Sequence, residues 1–416
     1  MSKAPALANK DKQILRDLAS RTAEAAALPV QEEKRELWRK LNGCRPERPM
    51  VMIDQVCWNE LSGDEELTLQ CADEECRGYE QRFRRILYQW NHFPVDMVVE
   101  PVFHIPNAIH NSGFGITREE DTVATDENNP VVAHSYKNQL ETDEDLEKIR
   151  MPEITHDASE TERRVELAEH IFGDLLDVRP AGTQPYLSLW DPIATWMGVE
   201  NALFALMDRP DFMHRLLERM SQGYLSMLDQ LEEQRLLCEP QSVIHCTGAH
   251  TEELPAQGYT PQKPRTKDIW MFGLAQMLGT VSPDMFREFE IDYMVPICER
   301  FGLVYYGCCD PLHDKMNEVR MLPHVRKVSM SPWVNQEQGA AGIGKDFVFS
   351  RKPSPSMLAG DELRTDEIRD DLRHTRNICQ THGCPLEFIL KDLSTVRYEP
   401  QRLSVWAEIA MEVAKE

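Results

Sequence analysis

The sequence predicts an α/β protein that folds as a single (β/α)8 TIM barrel. In the C-terminal half, short apolar runs alternate with amphipathic helical segments, which is typical of a parallel sheet covered by helices. The runs are nearly continuous in apolar residues, as expected for strands buried on both faces. An open doubly wound sheet fits this pattern equally well. The phosphate-binding glycine turn of open nucleotide folds is missing, since "GAAGIG" lies inside a helix-like segment, and this favours the closed barrel.

The N-terminal half predicts a helical extension, two strands and an inserted excursion. Residues 1–45 are charged and helix-favouring, and we expect them to precede a barrel that occupies residues 46–416. The runs "RPMVMIDQVCW" and "VDMVVEPVFHIP" predict strands on either side of an amphipathic helix, "DEECRGYEQRFRRILYQWNHF". Residues 107–157 are acidic and turn-rich without a helical period, which indicates an inserted hairpin or long excursion.

The remaining elements alternate more regularly. "SETERRVELAEHIFGDLLD" predicts a helix, and the strand-like runs "YLSLWDP" and "SVIHCTG" enclose two helices that break at Pro210. Four strand and helix units follow, with strands at "GLVYYGCC", "RKVSMSP", "DFVFSRKP" and "LEFILKD". The Met-rich segment "IWMFGLAQMLG" between these groups is expected to form core or the wall of a pocket.

Composition excludes several classes of partner. The chain has 70 acidic and 46 basic residues, and a net charge of −24 repels phosphate backbones and anionic lipid. No nucleic-acid or membrane partner is therefore expected. No apolar run approaches the roughly 20 residues that cross a bilayer, and "MSKAPALANKDKQ" lacks the apolar region of a signal peptide. We expect a cytoplasmic protein whose 11 cysteines are reduced.

The residues that follow the predicted strands are the candidates for chemistry. The carboxyl ends of barrel strands converge on one mouth, where active sites of this fold lie. In "YYGCCDPLH", Cys308 and Cys309 end a predicted strand. The other strand ends supply Trp190, Asp191, His245, Cys246, Ser331, Trp333, Arg351, Lys352, Lys391 and Asp392.

Zinc is one cofactor that these residues could hold. It favours thiolate and imidazole ligands, and a catalytic zinc keeps three protein ligands and one open position. Cys308, His245 and a second thiolate could supply that set. Packing cysteines are the alternative, because the chain has no C-x-x-C and no H-E-x-x-H motif.

Substrate contacts are predicted from the same strand ends. Tyr305 and Tyr306 point to opposite faces of an extended strand, so one of them faces the barrel and can donate a proton or hydrogen bond. Gln276 is a candidate polar contact, and Lys352 either holds an anionic substrate or pairs with an acid. Four tryptophans either pack in the core or line an aromatic substrate pocket: Trp58, Trp190, Trp270 and Trp333. Glu288 is expected on a solvated helix face.

Four segments resemble the uroporphyrinogen decarboxylase superfamily, and within it the corrinoid-dependent methyltransferase-like branch. They are "DVRPAGTQPYLSLWDPIATWMGVENALFALMDRPDFMHRLLERM", "FGLVYYGCCDPLHDKMNEVRMLPHVRKVSMSPWVN", "FVFSRKPSPSMLA" and "FILKDLSTVRYEPQRLSVW". The resemblance runs from about Leu37 to the C-terminus. It implies a TIM barrel, often a homodimer, with its cleft at the carboxyl ends of the strands.

The family resemblance also separates two activities. The family's decarboxylases grip porphyrinogen carboxylates with an arginine motif, "RQAGRY", whereas the first strand here reads "MVMIDQVCWNEL" without arginine. The methyltransferase branch binds zinc through a His-x-Cys pair and a distant cysteine. Cys308 matches the first cysteine, while Tyr306 stands in the place of the histidine. Cys384 lies at the distance of the second thiolate but precedes its strand, so His245, Glu288 or Cys309 are expected to complete the site.

The resemblance implies a corrinoid-dependent methyltransferase. It would move a methyl group from a small methylated substrate, such as an aryl methyl ether or methylamine, to a cobalt corrinoid on a partner protein. Zinc at Cys308 would polarise the leaving group, and Tyr306, Asp392 and Lys391 are the candidate catalytic residues. Two alternatives stay open: a lyase that anchors a smaller acid on Lys352 and Lys391, and a catalytically silent barrel that binds a corrinoid or methylated ligand.

Overall fold

A seven-stranded parallel sheet is the centre of the molecule. The computed structural model describes residues 8–124 and 132–416. The strands of the sheet follow the order β1, β15, β14, β13, β12, β11 and β8, and every neighbouring pair is parallel. Helices connect successive strands, so the fold is α/β with a parallel central sheet.

The elements have the following bounds. The strands are β1 (Met50–Ile53), β2 (Val102–Pro106), β3 (Ile109–Asn111), β4 (Glu120–Ala124), β5 (Val132–Tyr136), β6 (Ile154–His156), β7 (Asp177–Ala181), β8 (Tyr186–Leu187), β9 (Val243–Ile244), β10 (Thr247–Gly248), β11 (Trp270–Gly273), β12 (Leu303–Tyr306), β13 (Val325–Met330), β14 (Val348–Arg351) and β15 (Leu386–Leu390). The helices are α1 (Asn9–Ala26), α2 (Pro29–Asn42), α3 (Glu74–His92), α4 (Ala158–Phe172), α5 (Trp190–Met197), α6 (Val199–Asp208), α7 (Pro210–Glu233), α8 (Pro283–Phe286), α9 (Asp292–Cys298), α10 (Met316–Val319), α11 (Gln336–Ile343), α12 (Ser356–Ala359), α13 (Thr365–His382) and α14 (Gln401–Lys415).

The closed eight-strand barrel is not confirmed. β2 and β7 form a separate parallel pair, and within the described ranges no ladder joins this pair to the edge strands β1 or β8. Asp96 occupies the free edge of β1: its side chain accepts from the Val51 amide at 2.9 Å, and its own amide donates to the Val51 carbonyl at 2.9 Å. Because these backbone groups are already satisfied, β1 needs no strand on that side.

One predicted strand is wrong and another was missed. "SVIHCTG" forms the tight antiparallel hairpin β9–β10 instead of a strand of the main sheet. In the main sheet, the strand between β8 and β12 is β11, which comes from the Met-rich segment. All four residues of β11 are buried. A fully buried run lacks the alternation that would separate a strand from other core segments.

The regions outside the sheet contain helices and short antiparallel strand pairs. Helices α1 and α2 precede β1, and α1 packs on α3 and α4. The predicted excursion contains two antiparallel pairs, β3 with β6 and β4 with β5. Residues 1–7 of the predicted extension and 125–131 of the excursion lie outside the described residues. In the part that is described, no helix is both long and apolar enough to cross a membrane.

Candidate active site

The loops that follow β12 and β15 bring two cysteines and a lysine together. Gly307 lets the chain turn after β12, since its φ of 90° is unfavourable for other residues and a Cβ there would lie 2.5 Å from Leu312. Cys308 and Cys309 follow, with their sulfurs 3.4 Å apart. From the end of β15, Lys391 places its Nζ 3.2 Å from the Cys308 sulfur. Ser329 on β13 donates to the Cys308 carbonyl at 2.7 Å and fixes the backbone there.

A histidine and an aspartate border this pair. His245 sits in the two-residue turn between β9 and β10, where its φ is 51°, and its ring stacks on Phe272 at 3.9 Å. Its Nε2 lies 4.0 Å from the Cys308 sulfur. Asp392, with a φ of 59°, reaches Lys391 at 2.9 Å and Cys309 at 3.6 Å. Positive φ values at residues other than glycine are uncommon and concentrate at functional sites. The site therefore holds two such residues, His245 near the Cys308 sulfur and Asp392 near the Cys309 sulfur.

The electrostatics favour a thiolate at Cys308. The Cys309 S–H donates to it, His245 and Lys391 add to the effect, and together they outweigh burial and hold the pKa of Cys308 well below its usual range. The pKa of Cys309 is raised, because the neighbouring thiolate and burial both oppose a second negative charge. Burial opposes the charge of Lys391, but the Cys308 thiolate and Asp392 more than offset it and raise its pKa. Cys308 and Lys391 thus form a thiolate–ammonium pair.

Asp54 is a further acid beside this pair. It follows β1 and helps to line a cavity of about 230 Å³ together with Met52, Gln89, Gly248 and others. Burial raises the pKa of Asp54, although the charges of His245 and Lys391 oppose the shift. A proton is therefore retained more readily on Asp54 than on an ordinary aspartate.

The inner surface of the sheet below the site is polar. Lys327 donates to Glu387 at 2.7 Å, to Thr247 at 3.0 Å and to the Gly248 carbonyl at 3.1 Å. Glu387 also accepts from Ser350 at 2.5 Å. The sequence carries a signal for this network, because a lysine and a glutamate each interrupt an apolar strand, in "VRKVSM" and "LEFIL". Asp54, Lys327, Ser350 and Glu387 were not singled out from sequence.

Six predicted site residues come together at the carboxyl end of the sheet. They are His245, Cys308, Cys309, Lys352, Lys391 and Asp392. Gln276 lies half-buried in the segment after β11, and Trp333 is 75% exposed after β13. These two are at the same end of the sheet, but among residues 8–124 and 132–416 the hydrogen-bonding partners of the Cys308 sulfur are His245, Cys309 and Lys391.

Tyr306 points away from the site, and its predicted catalytic role is wrong. Its hydroxyl donates to Glu290 at 2.8 Å on the helix side of the sheet. Tyr305 is the tyrosine that faces inward, where its hydroxyl meets Ser350 at 3.0 Å. Successive side chains of a strand alternate between faces, and the sequence alone does not fix which of the two faces inward.

Four other predicted residues also lie elsewhere. Trp190 is buried at the start of α5 and donates to the Phe289 carbonyl at 3.2 Å, and Trp270 is buried and donates to the Ala249 carbonyl at 3.0 Å. Glu288 is exposed and pairs with His214 at 3.1 Å. Cys384 precedes β15, at the opposite end from Cys308, and donates to the Ala340 carbonyl at 3.2 Å. Packing, not substrate or metal contact, accounts for these positions.

The predicted zinc set is not assembled. Within residues 8–124 and 132–416, no three His, Cys, Asp or Glu side chains are placed to hold a metal ion together. Glu288 and Cys384 are remote, and the Lys391 ammonium lies against the sulfur that would bind the metal. An ammonium at that distance competes with a cation for the same thiolate. We therefore derive no step through zinc.

A prediction concerns Glu290, the partner of Tyr306. Burial raises its pKa from the ordinary 4.5 to about 8. Between these values the folded state keeps a proton that the unfolded state releases, so this residue makes stability fall as the pH rises from 4.5 to about 8. Glu290→Gln cannot ionise and keeps an acceptor for the Tyr306 hydroxyl. We expect urea unfolding to show a smaller loss of stability in this pH interval for the variant than for wild type. Parallel pH profiles would contradict the assignment.

Comparison with known proteins gives a likeness in structure but none in sequence. No protein-family model matches the sequence, and no curated protein matches it significantly. Among solved structures, a methyltransferase from Methanosarcina mazei matches at 10% sequence identity with a TM-score of 0.49, over 91% of this chain and 97% of that chain. A likeness at this level identifies neither a family nor an activity. Any function of the chain therefore rests on the residues of its own site.

Proposed function

We propose that the chain is a methyltransferase that takes a methyl group from a small methylated compound at Cys308. The observation that carries the proposal is the thiolate of Cys308, held 3.2 Å from the Lys391 ammonium at the carboxyl end of the parallel sheet. A thiolate is the nucleophilic form of cysteine, and its polarisable sulfur suits attack on a saturated carbon. The sequence resemblance to the uroporphyrinogen decarboxylase superfamily supports methyl transfer as the reaction class.

The residues of the site supply the groups that such a transfer needs. The Cys308 thiolate donates its electron pair to the methyl carbon, and the bond from that carbon to the donor's oxygen or nitrogen breaks. The electron pair of the broken bond stays on the donor heteroatom, which then takes a proton from Asp54. Lys391 keeps Cys308 ionised before the attack. Because burial raises the pKa of Asp54, that acid carries a proton closer to neutral pH than an ordinary aspartate does.

The methyl group on Cys308 needs an onward acceptor. The resemblance implies a reduced cobalt corrinoid on a partner protein, which supplies a metal-centred nucleophile when bound. Transfer onward breaks the sulfur–carbon bond and returns its electron pair to Cys308, where Lys391 stabilises the thiolate again. The exposed Asp392 and the half-buried His245 and Cys309 leave this side of the site open to solvent, which supports access by a large acceptor. The homodimer remains a prediction.

The lyase alternative has less support. It requires Lys352 and Lys391 to be free to bind a carboxylate. Lys391 is already paired with the Cys308 sulfur and with Asp392. Lys352 is buried against the Tyr305 hydroxyl. A carboxylate would have to displace at least one of these partners before it could bind.

The test uses purified protein with aryl methyl ethers and methylamines as donors and reduced free cobalamin as the acceptor probe. We expect the Cys308 peptide to gain the mass of one methylene with a productive donor, and the cobalt absorption spectrum to change to that of methylcobalamin when the probe is added. Cys308→Ser should abolish both signals. The absence of both signals with every donor would refute the proposal.

The matched control is Cys384→Ser. The pKa of Cys384 is also lowered, chiefly by a hydrogen bond from Cys379, yet this thiol lies at the amino end of β15. We expect this variant to keep the activity. If Cys384→Ser loses the activity but unfolds normally, the reacting thiol is not Cys308.

A further inference from the structure

Lys352 is a buried lysine with no acidic partner. It follows β14 and is 2% exposed. Its Nζ contacts the Ser350 hydroxyl at 2.7 Å, the Ser350 carbonyl at 3.1 Å and the hydroxyl of Tyr305. All of these groups are neutral, and in the described part of the chain no carboxylate forms an ion pair with this Nζ. A buried ammonium without an anion is costly, so these surroundings favour the uncharged amine.

Two neighbouring lysines show the contrast. Lys327 is also fully buried, but it meets the Glu387 carboxylate at 2.7 Å. Lys391 meets Asp392 at 2.9 Å and the Cys308 sulfur at 3.2 Å. Burial lowers the pKa of Lys352, and the negative groups that oppose this shift act without direct contact. Of these three lysines, Lys352 is the one whose surroundings suit a neutral, nucleophilic amine.

The amine has a chain of hydroxyls for proton transfer. The Tyr305 hydroxyl contacts the Lys352 Nζ and lies 3.0 Å from the Ser350 hydroxyl. The Ser350 hydroxyl in turn donates to Glu387 at 2.5 Å. A proton can therefore pass between the amine and a carboxylate through two hydroxyl groups. A lysine that only filled space would not require such a connection.

We propose that Lys352 is an amine nucleophile that forms an imine with a small aldehyde or ketone at the carboxyl end of the sheet. The nitrogen lone pair forms a bond to the carbonyl carbon, and the carbonyl oxygen takes up a proton from the Tyr305 hydroxyl. The resulting carbinolamine loses its hydroxyl as water, the two protons of that water balance the two lost by the amine, and a carbon–nitrogen double bond remains. This activity goes beyond methyl transfer at Cys308 and does not depend on it.

Lys352 lies at the same end of the sheet as Cys308. Lys352 and Lys391 end the adjacent parallel strands β14 and β15, and Lys352 lies within electrostatic reach of Cys308. A carbonyl compound bound at Lys352 would thus lie close to the thiolate. This places the two nucleophiles at the same end of the sheet.

The test is reductive trapping on the full chain. We expect acetaldehyde or glyoxylate with sodium cyanoborohydride at neutral pH to alkylate Lys352, as read from peptide masses. The peptides of Lys327 and Lys391 from the same digest serve as internal controls and should stay unmodified. If glyoxylate labels much faster than acetaldehyde, the site prefers a charged carbonyl compound. Labelling of surface lysines while Lys352 stays unmodified would overturn the proposal, and this result is obtained on wild-type protein without any variant.

Two variants separate reaction from packing. Lys352→Met keeps an uncharged side chain of similar length but has no amine to form an imine, and should lose the adduct. Tyr305→Phe keeps the ring but removes the proton donor, and should slow labelling at Lys352 at least about tenfold. Circular dichroism and urea unfolding identify any variant that fails to fold. A folded Tyr305→Phe variant with an unchanged labelling rate would contradict the proton-transfer role. Cys308→Ser should still form the adduct, so failure of the methyl-transfer proposal is distinguished from failure of this one.

Discussion

Iodoacetamide at about pH 6 is expected to alkylate Cys308 before the cysteines whose pKa is raised by burial, because the thiolate is the reacting form. An ordinary thiol with a pKa of about 8.5 is almost fully protonated under these conditions. The Cys309 S–H, His245 and Lys391 keep Cys308 ionised. Burial raises the pKa of Cys57 and Cys76 to about 12, whereas the pKa of Cys384 is lowered like that of Cys308. The measurement is the rate of label incorporation into each cysteine peptide across pH.

Lys391→Met tests the physical cause of this reactivity. Removing the ammonium 3.2 Å from the sulfur should raise the pKa of Cys308 and reduce its alkylation at low pH. The thiolate fraction falls about tenfold per pKa unit only where the pH lies below the pKa, so we expect the pH of half-maximal alkylation to move upward by at least about one unit in the variant. At high pH the rates of variant and wild type should converge. Cys384→Ser is the control that should leave the Cys308 profile unchanged.

A contrary result is easy to recognise. If Cys308 reacts with the pH profile of an ordinary thiol, the thiolate–ammonium pair does not exist in solution. Equal rates for wild type and Lys391→Met at low pH would assign the low pKa to the Cys309 hydrogen bond instead. Cys309→Ala then becomes the deciding variant, since alanine removes the donor at this position and should raise the pKa of Cys308.

The sequence predicted the carboxyl ends of most strands because those ends are marked by polar residues after apolar runs. This pattern placed Cys308, Lys352 and Lys391 correctly at one end of the sheet. It failed for β11, whose residues are all buried and carry no polar boundary signal. It also failed for His245, because the hairpin needs a positive φ at this residue and a histidine in the sequence does not predict one. His245 nevertheless reached the site, although from a turn instead of a strand of the sheet.

Side-chain direction was the second limit. Tyr305 and Tyr306 are chemically identical neighbours, and only the register of β12 against β11 and β13 turns one toward Ser350 and the other toward Glu290. A one-residue change of register exchanges the two faces of a strand. Asp54 was not predicted for a related reason. Its raised pKa comes from burial beside a cavity, and no sequence motif marks it.

Breaking the ion pair of Lys327 and Glu387 is expected to destabilise the fold strongly. Both side chains are fully buried, and their charged atoms are 2.7 Å apart. Lys327→Met leaves the Glu387 carboxylate buried without its cation, which typically costs about 3–5 kcal/mol. Urea unfolding followed by circular dichroism measures the loss. The matched control is Glu252→Gln, which removes the exposed pair with Arg45 and should change stability by less than about 1 kcal/mol.

The double variant Lys327→Met with Glu387→Leu distinguishes a paired charge from two independent contributions. If the cost of Lys327→Met comes from an uncompensated carboxylate, removing that carboxylate as well should restore most of the lost stability. Recovery should be incomplete, since Thr247 and Ser350 lose the acceptor that Glu387 offers them at 2.7 and 2.5 Å. A double variant whose loss equals the sum of the two single losses would contradict the pairing. Because Ser350 also contacts the Lys352 Nζ, a stable double variant that no longer forms the Lys352 adduct would link the ion pair to the reactivity of that amine.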